Sequence, residues 1–370
     1  MNILTLSNYY PEHRGGIEFA AFNLVSRWRK NHVVRWMACE PVSHPHMADP
    51  DDVPLPAINF IETRLGFPYP LPLPVYLPRI LEQVRWCDVV HLHDCLYAAN
   101  QCAFWAARHY RKPVLVTQHV AQVPYPQAYK NILQHLAYLS LGKMLLENAE
   151  QVIFISQRVQ EWFTQRMHFR HLPRLIPNGV DRALFYPPAA GERELARQQS
   201  GFASETPLLL FVGRFTFKKG LHFIQKLAEA RPQWNFLLIG TGEVSPSSWG
   251  LLNVHVLPPQ PQSSLRSFYL IADLLFLPSV GEGVPLVVQE AMACGLPVAL
   301  SAETSSSLPN APLIILDAVE KVDKSLQILD TYLNDKLKMD TLRISAAEYA
   351  NQWDWNRVAN EYETLFAAYL

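Results

Sequence analysis

The sequence has no charge surplus, no paired cysteines and no long apolar run. Its formal net charge is −1, so the total offers no electrostatic footing for nucleic acid. Five cysteines (Cys39, Cys87, Cys95, Cys102 and Cys294) are odd in number and form no C-x-x-C pair. That pattern argues against a disulfide framework and for reduced thiols in a cytoplasmic protein. No basic segment precedes the apolar run Ile3-Leu4-Thr5-Leu6, so no signal peptide is expected. No apolar stretch approaches the roughly 20 residues that cross a bilayer. Neither G-x-G-x-x-G nor G-x-x-x-x-G-K-[ST] follows the first strand. A standard dinucleotide or P-loop site is therefore unsupported, and a small dehydrogenase fits poorly.

What is present is a large core and a repeating order. Hydrophobic residues make up 49% of 370, which predicts two domains of about 150–200 residues rather than one core. Short apolar runs alternate with segments of helical spacing, such as Ile17, Ala20, Ala21, Leu24, Val25 and Trp28. Strands are expected at 3–6, 33–38, 88–92, 113–117 and 151–156. A second series is expected at 208–212, 235–239, 254–257, 273–277, 297–300 and 313–316. Residues 41–78 read as an elaborated connection, 125–148 as one long helical segment, and 157–167 as a helix capped by Ser156.

The alternation implies an α/β protein of two doubly wound, parallel-sheet, Rossmann-like domains facing a central cleft. The pattern restarts near 175–206, which divides a first domain (1–174) from a second (175–354). The aromatic C-terminal helix, 355–370, is expected to cross back to the first domain.

The chain reads as organised around Val280-Gly281-Glu282-Gly283-Val284-Pro285-Leu286 and the helix that follows. A strand ends just before it, Pro285 suits a first helical turn, and Gly295-Leu296-Pro297 ends the helix. The helix N-terminus offers backbone N–H groups to an anion, with Glu282 before it and Glu290 inside it. Gly15-Gly16 after the first strand lets backbone approach a phosphate closely, though an ordinary tight turn explains the pair equally simply. Arg214 and Lys219, at a strand end and a helix start, suit a diphosphate as a fork and a point charge. Either alone would read as a solvated surface cation.

His91, His93 and Asp94 end one strand, and Thr117-Gln118-His119 ends another. Leu92 separates His91 from His93 as opposite strand faces would, so no metal site is expected, and His119 is the histidine placed for chemistry. Residues 157–174 mix Trp162, Phe163, Met167 and Phe169 with Arg158, Arg166, Arg170 and Arg174. That mixture suits peripheral contact with an anionic membrane, or else a surface helix packing its aromatics inward.

Together these residues resemble the GT-B glycosyltransferases of family 4, retaining enzymes that use nucleotide-sugars. The carrying motifs are Glu282-x7-Glu290 within Glu-Gly-x-Pro-x-x-x-x-Glu-Ala-Met-Ala-x-Gly-x-Pro-Val, Val-Gly-Arg-x4-Lys-Gly at 212–220, and Ile-Pro-Asn-Gly-Val-Asp at 176–181. The resemblance implies that Glu290 binds the ribose hydroxyls and Glu282 the donor sugar, helped by backbone N–H groups of Gly283, Val284 and Leu286. It implies that Arg214 and Lys219 hold the diphosphate with Gly16, and that His119 lies by the donor sugar and acceptor. The second domain would bind the nucleotide-sugar and the first the acceptor. No metal, cofactor or protein nucleophile is implied. Where the family often carries Gly after the third strand of the second domain, this chain has Leu257-Pro258-Pro259-Gln260, so no base is implied.

The expected function is transfer of a hexose-type sugar from a nucleoside diphosphate to a glycan or lipid-linked acceptor, in bacterial envelope polysaccharide or lipopolysaccharide synthesis. The expected place is the cytoplasm, at the inner face of the cell membrane where it touches one. A nucleotide-sugar 2-epimerase of the same fold and a non-catalytic nucleotide-sugar-binding subunit are the competing readings.

Overall fold

The computed structural model describes residues 1–13, 15–41, 49–65, 69–122, 125, 127–280, 284–316 and 321–370. The chain forms two compact units, Met1–Asn178 with Trp355–Leu370, and Gly179–Asp354.

The first unit carries strands β1 (Asn2–Ser7), β2 (Val33–Pro41), β3 (Asp52–Ile58), β4 (Leu71–Pro72), β5 (Val89–His93), β6 (Val114–Gln118), β7 (Gln151–Phe154) and β8 (Arg174–Leu175). Their order in the sheet is β4-β3-β2-β1-β5-β6-β7-β8. All neighbours are parallel except β3 and β4. Every residue of β5, β6 and β7 is buried, as parallel strands covered on both faces must be. The helix Trp355–Ala368 belongs to this unit. Trp28 donates its indole N–H to the Ala359 carbonyl at 3.2 Å and packs edge-on against Phe366.

The second unit carries β9 (Leu208–Val212), β10 (Asn235–Ile239), β11 (Val254–Leu257), β12 (Leu274–Leu277), β13 (Val298–Ser301) and β14 (Ile314–Leu316), in the order β11-β10-β9-β12-β13-β14, all parallel. Its core is built on the wholly buried strands β9, β12 and β13.

Three local expectations need correction. Residues 41–78 hold β3, the helices Phe60–Leu65 and Leu77–Trp86, and β4. The prolines of β3 concealed it. Pro56 accepts from the Leu73 N–H on the side away from β2, and Pro54, two residues earlier, faces the same way. Their missing N–H groups therefore leave the β2–β3 ladder intact. Second, residues 182–206, which read as a polar spacer with no element of their own, contain the helix Glu192–Gln199, whose Arg197 is buried. Third, 125–148 is not one regular helix: a π-turn, Tyr138–Gly142, joins Ala128–Ala137 to Lys143–Asn148.

Candidate functional site

Strand order reverses between β9 and β12, and in such sheets ligands bind beyond the carboxyl ends at that reversal. Arg214 stands two residues past β9 and is exposed, and Lys219 ends a one-turn 3-10 helix, Phe217–Lys219, half-buried. This loop is held firmly. Phe215 donates its N–H to Thr241 at 2.8 Å, and Val280 donates to the Lys218 carbonyl at 3.0 Å. Gly220 has φ +75°, and a Cβ there would lie 2.3 Å from the Pro278 carbonyl oxygen. Only glycine lets the cationic loop sit this close to the chain leaving β12.

The same chain is gripped from its other side. Ser301 and Thr304 hydroxyls donate to the Ser279 carbonyl at 2.5 and 3.0 Å. Glu282 and Gly283 lie outside the described residues. Val284 is buried, and Leu286 is the first residue of the helix Leu286–Ala293. Pro285 sits at the N-cap in extended conformation, one position earlier than the sequence suggested.

Glu290 is buried in that helix and accepts one donor on each oxygen. Gln262 Nε2 reaches Oε1 at 2.8 Å, and the Tyr269 hydroxyl reaches Oε2 at 2.9 Å. Burial pushes its pKa up, while these two hydrogen bonds pull it back. A carboxylate offers about four lone-pair sites, so both oxygens keep capacity for further hydroxyl donors. Neither Gln262 nor Tyr269 was picked out by the sequence. That their helix, Gln262–Ile271, faces Glu290 is a tertiary matter.

In the first unit the reversal falls between β1 and β5. Gly16 opens the helix Gly16–Trp28 and is exposed, and a Cβ there would meet nothing within 4 Å. The backbone at Gly16 can therefore be approached closely. Glu18, in its first turn, is buried, a placement the helix dipole favours.

At the carboxyl ends of β5 and β6 lies a buried polar cluster. His93 Nδ1 and His119 Nε2 are 2.8 Å apart, with stacked rings. His91 Nε2 meets Thr117 Oγ1 at 2.8 Å, and Thr117 meets the Tyr362 hydroxyl at 2.9 Å. The His91 and His93 rings are only 4.5 Å apart, so the expectation of opposite faces is wrong: residues two apart in a strand share a face. Burial holds His91 and His119 down to about 3 and keeps His93 well below its ordinary value.

Asp94 accepts the His119 backbone N–H on Oδ1 at 2.8 Å, and its Oδ2 is buried without a partner. Burial raises its pKa to about 7, against backbone hydrogen bonds from His119 and Val120. It also adopts φ +66°, a left-handed conformation that non-glycine residues keep only when surroundings enforce it. The sequence named Asp94 without giving it a role. Its only visible signal was an acid directly after a strand at the reversal.

The basic-aromatic segment packs inward. Phe163 and Met167 are buried, Trp162 and Phe169 lie against the core, Arg166 covers Trp162, and Arg170 pairs with Glu150 at 2.7 Å.

Two doubly wound parallel sheets, with cations and a buried carboxylate at one reversal, define a GT-B protein of two Rossmann-like domains. The chain belongs to the family 4, group 1 glycosyltransferases. The profile for Glycosyltransferase Family 4 matches residues 14–184, and that for Glycosyl transferases group 1 matches 192–308. A D-inositol 3-phosphate glycosyltransferase of Jonesia denitrificans is 24% identical over 317 residues, covering 77% of this chain and 72% of its own. A GDP-mannose:cellobiosyl-diphosphopolyprenol alpha-mannosyltransferase of Xanthomonas oryzae pv. oryzae is 25% identical over 305 residues, covering 77% and 75%. Among solved structures, Anabaena HepE in complex with UDP superposes with a TM-score of 0.78 at 18% identity over 100% of both chains.

Proposed function

We propose that this glycosyltransferase is retaining and moves a hexose-type sugar from a nucleoside diphosphate to a glycan or lipid-linked acceptor, in the building of bacterial envelope polysaccharide or lipopolysaccharide. The observation that carries the reading is the gathering of Arg214, Lys219 and buried Glu290 around one strand-order reversal. The relative that acts on a diphosphopolyprenol supports a lipid-linked acceptor.

In this reading Glu290 accepts the ribose hydroxyls. Glu282, with the backbone of Gly283, Val284 and Leu286, takes the sugar hydroxyls. As the sugar–phosphate bond breaks, the leaving diphosphate gains negative charge, and Arg214, Lys219 and the N–H groups at Gly16 stabilise it. Those cations do what a metal would do, so the proposal needs none. His119 lies beside the reacting sugar. The acceptor hydroxyl attacks on the face the diphosphate leaves, passing its proton to a phosphate oxygen, with no protein nucleophile. The second unit binds the donor and the first the acceptor. The five cysteines are free, which suits a cytoplasmic enzyme.

A thermal-shift screen of nucleotide-sugars, followed by hydrolysis of each hit, tests the reading. A stabilising donor that is slowly hydrolysed without acceptor supports it, and Arg214→Ala or Glu290→Ala should then weaken binding severely. Conversion of the donor to its 2-epimer, or binding with no turnover, would replace it with an epimerase or a binding subunit.

A further inference from the structure

The helix Ala128–Ala137 is built inside out. None of its residues is buried. Tyr129, Ile132, Leu133 and Leu136 are 58%, 60%, 54% and 57% exposed. Their spacing of three, four and seven makes one apolar stripe along a single helix face. The face turned toward the protein is polar. Asn131 exchanges hydrogen bonds with the backbone of Tyr125 at 2.7 and 2.8 Å, and His135 meets Trp162 edge-on. The stripe continues into the π-turn in Leu139 and Leu141, both exposed, while Tyr138 is buried on the opposite side. A globular helix normally places its apolar stripe against the core, so this one is arranged to meet something apolar outside the unit.

The charge around the stripe says what. From Cys95 to Leu146 the chain contains no Asp or Glu, while it carries Arg108, Arg111, Lys112, Lys130 and Lys143. On the helical segment itself, Lys130 extends over Tyr125, and Lys143, whose side chain is 42% exposed, pairs with Glu147 at 3.7 Å one turn further on. Arg166, stacked on the Trp162 that His135 touches, adds a further exposed cation beside it. An apolar face on a helix that itself carries no acid, with cations beside it, is the composition of a helix lying in a bilayer's interface over anionic headgroups. No helix among the described residues is long and apolar enough to cross a membrane.

We infer that Ala128–Ala137 docks the protein on an anionic lipid surface, with Tyr129, Ile132, Leu133 and Leu136 inserted among the acyl chains. This extends the proposed function, because a lipid-linked acceptor is presented at such a surface, but the docking itself involves neither donor nor acceptor. It also moves the membrane contact away from Arg170, which is engaged with Glu150.

The test is flotation of the full chain with vesicles of phosphatidylcholine alone or mixed with phosphatidylglycerol. Wild type should float with the anionic vesicles and much less with the neutral ones. The triple variant Ile132→Asn, Leu133→Gln, Leu136→Asn should lose about tenfold or more of the bound fraction, since transferred apolar area drives insertion. A control, Leu337→Asn with Ile344→Asn, removes equally exposed apolar side chains from the other unit and should float as wild type does. Retained melting temperature and donor hydrolysis in the triple variant keep this result separate from any failure of the glycosyl-transfer reading. Equal flotation of wild type and triple variant overturns the inference. So does a dimer in lipid-free solution that the triple variant abolishes while wild type fails to float, which would make a second copy the occupant.

Discussion

His93 and His119 share one hydrogen bond, Nδ1 to Nε2 at 2.8 Å, across 26 residues of sequence. The parallel register that pairs His93 with Thr117 brings the two rings together at the carboxyl ends of their strands. One nitrogen must donate and the other accept, so the contact holds a single proton. Both rings cannot be charged without breaking it.

This cluster should make the protein acid-labile. Unfolded histidines take up protons below about pH 6.5, whereas His91 and His119 resist until about 3 and His93 shifts the same way. Their stabilising contribution is therefore whole above 6.5 and lost as pH falls toward 3. Asp94 works oppositely: with its pKa raised to about 7, its contribution is whole below the unfolded value of about 3.9 and is lost as pH rises from there through 7. Three histidines outweigh one aspartate, so stability should fall by about 1.4–3 kcal/mol per pH unit between pH 6 and 4. Denaturant midpoints at pH 7.5 and 5 should show a smaller acid loss in His91→Gln than in wild type. An unchanged loss would refute the account.

Tyr362 joins the C-terminal helix to the cluster by its hydroxyl and its ring. Tyr362→Phe should cost about 0.5–1.5 kcal/mol, the worth of one hydrogen bond. Tyr362→Ala should cost about 3–5 kcal/mol because the ring's packing goes too. Equal losses in urea unfolding would show that the ring contributes little.

Gly220→Ala should damage both stability and donor binding. A left-handed φ costs an L-residue roughly 1–2 kcal/mol, and here the Cβ also meets the Pro278 carbonyl. Gly250→Ala is the matched control, with φ +69° and nothing within 4 Å. If calorimetric melting and nucleotide-sugar titration find the two variants alike, the close approach at Pro278 does not hold the cationic loop.

Tyr269→Phe strands Glu290 Oε2 in a buried site. The deficit should be about 1–3 kcal/mol near neutrality. With the hydroxyl gone, the Glu290 pKa rises further above its already raised position, so the variant's deficit should shrink as pH falls and grow as it rises. Stability curves for wild type and variant that stay parallel from pH 5 to 8 would contradict this.

Asp273 is the counter-ion of Arg193, Arg197 and Arg343 and also accepts the Leu208 N–H. Burial brings Arg343 down to about 10, against the attraction of Asp273. Asp273→Ala should lower stability by about 3 kcal/mol, the low end for breaking a buried pair, because the carboxylate is partly exposed. A loss no larger than that of an exposed pair such as Arg357–Glu361 would mean that the guanidiniums rehydrate freely.

Much of the site could be read from order along the chain. Arg214, Lys219 and Glu290 announce themselves because a cation or acid at a strand's end, next to a glycine and a helix start, is a local pattern. Strands such as Leu208–Val212 were legible because buried parallel strands are uninterrupted apolar runs. Asp52–Ile58 was not, since Pro54 and Pro56 mimic a loop unless their orientation toward the sheet is known. The inverted helix Ala128–Ala137 was equally hidden. Periodicity identifies an apolar face but carries no sign to say whether that face points inward or outward.

The sequence by itself determined the alternation of strands and helices, the family, and the residues bordering the strand-order reversals. Those are properties of short windows, fixed by burial period, turn chemistry and spacing. Only the tertiary structure decided that His91, His93, His119 and Tyr362 form one buried chain of contacts, that Gln262 and Tyr269 hold Glu290, and that an apolar stripe faces solvent. Each of these joins residues distant in the chain or depends on which side of an element the core lies, and no local pattern encodes either.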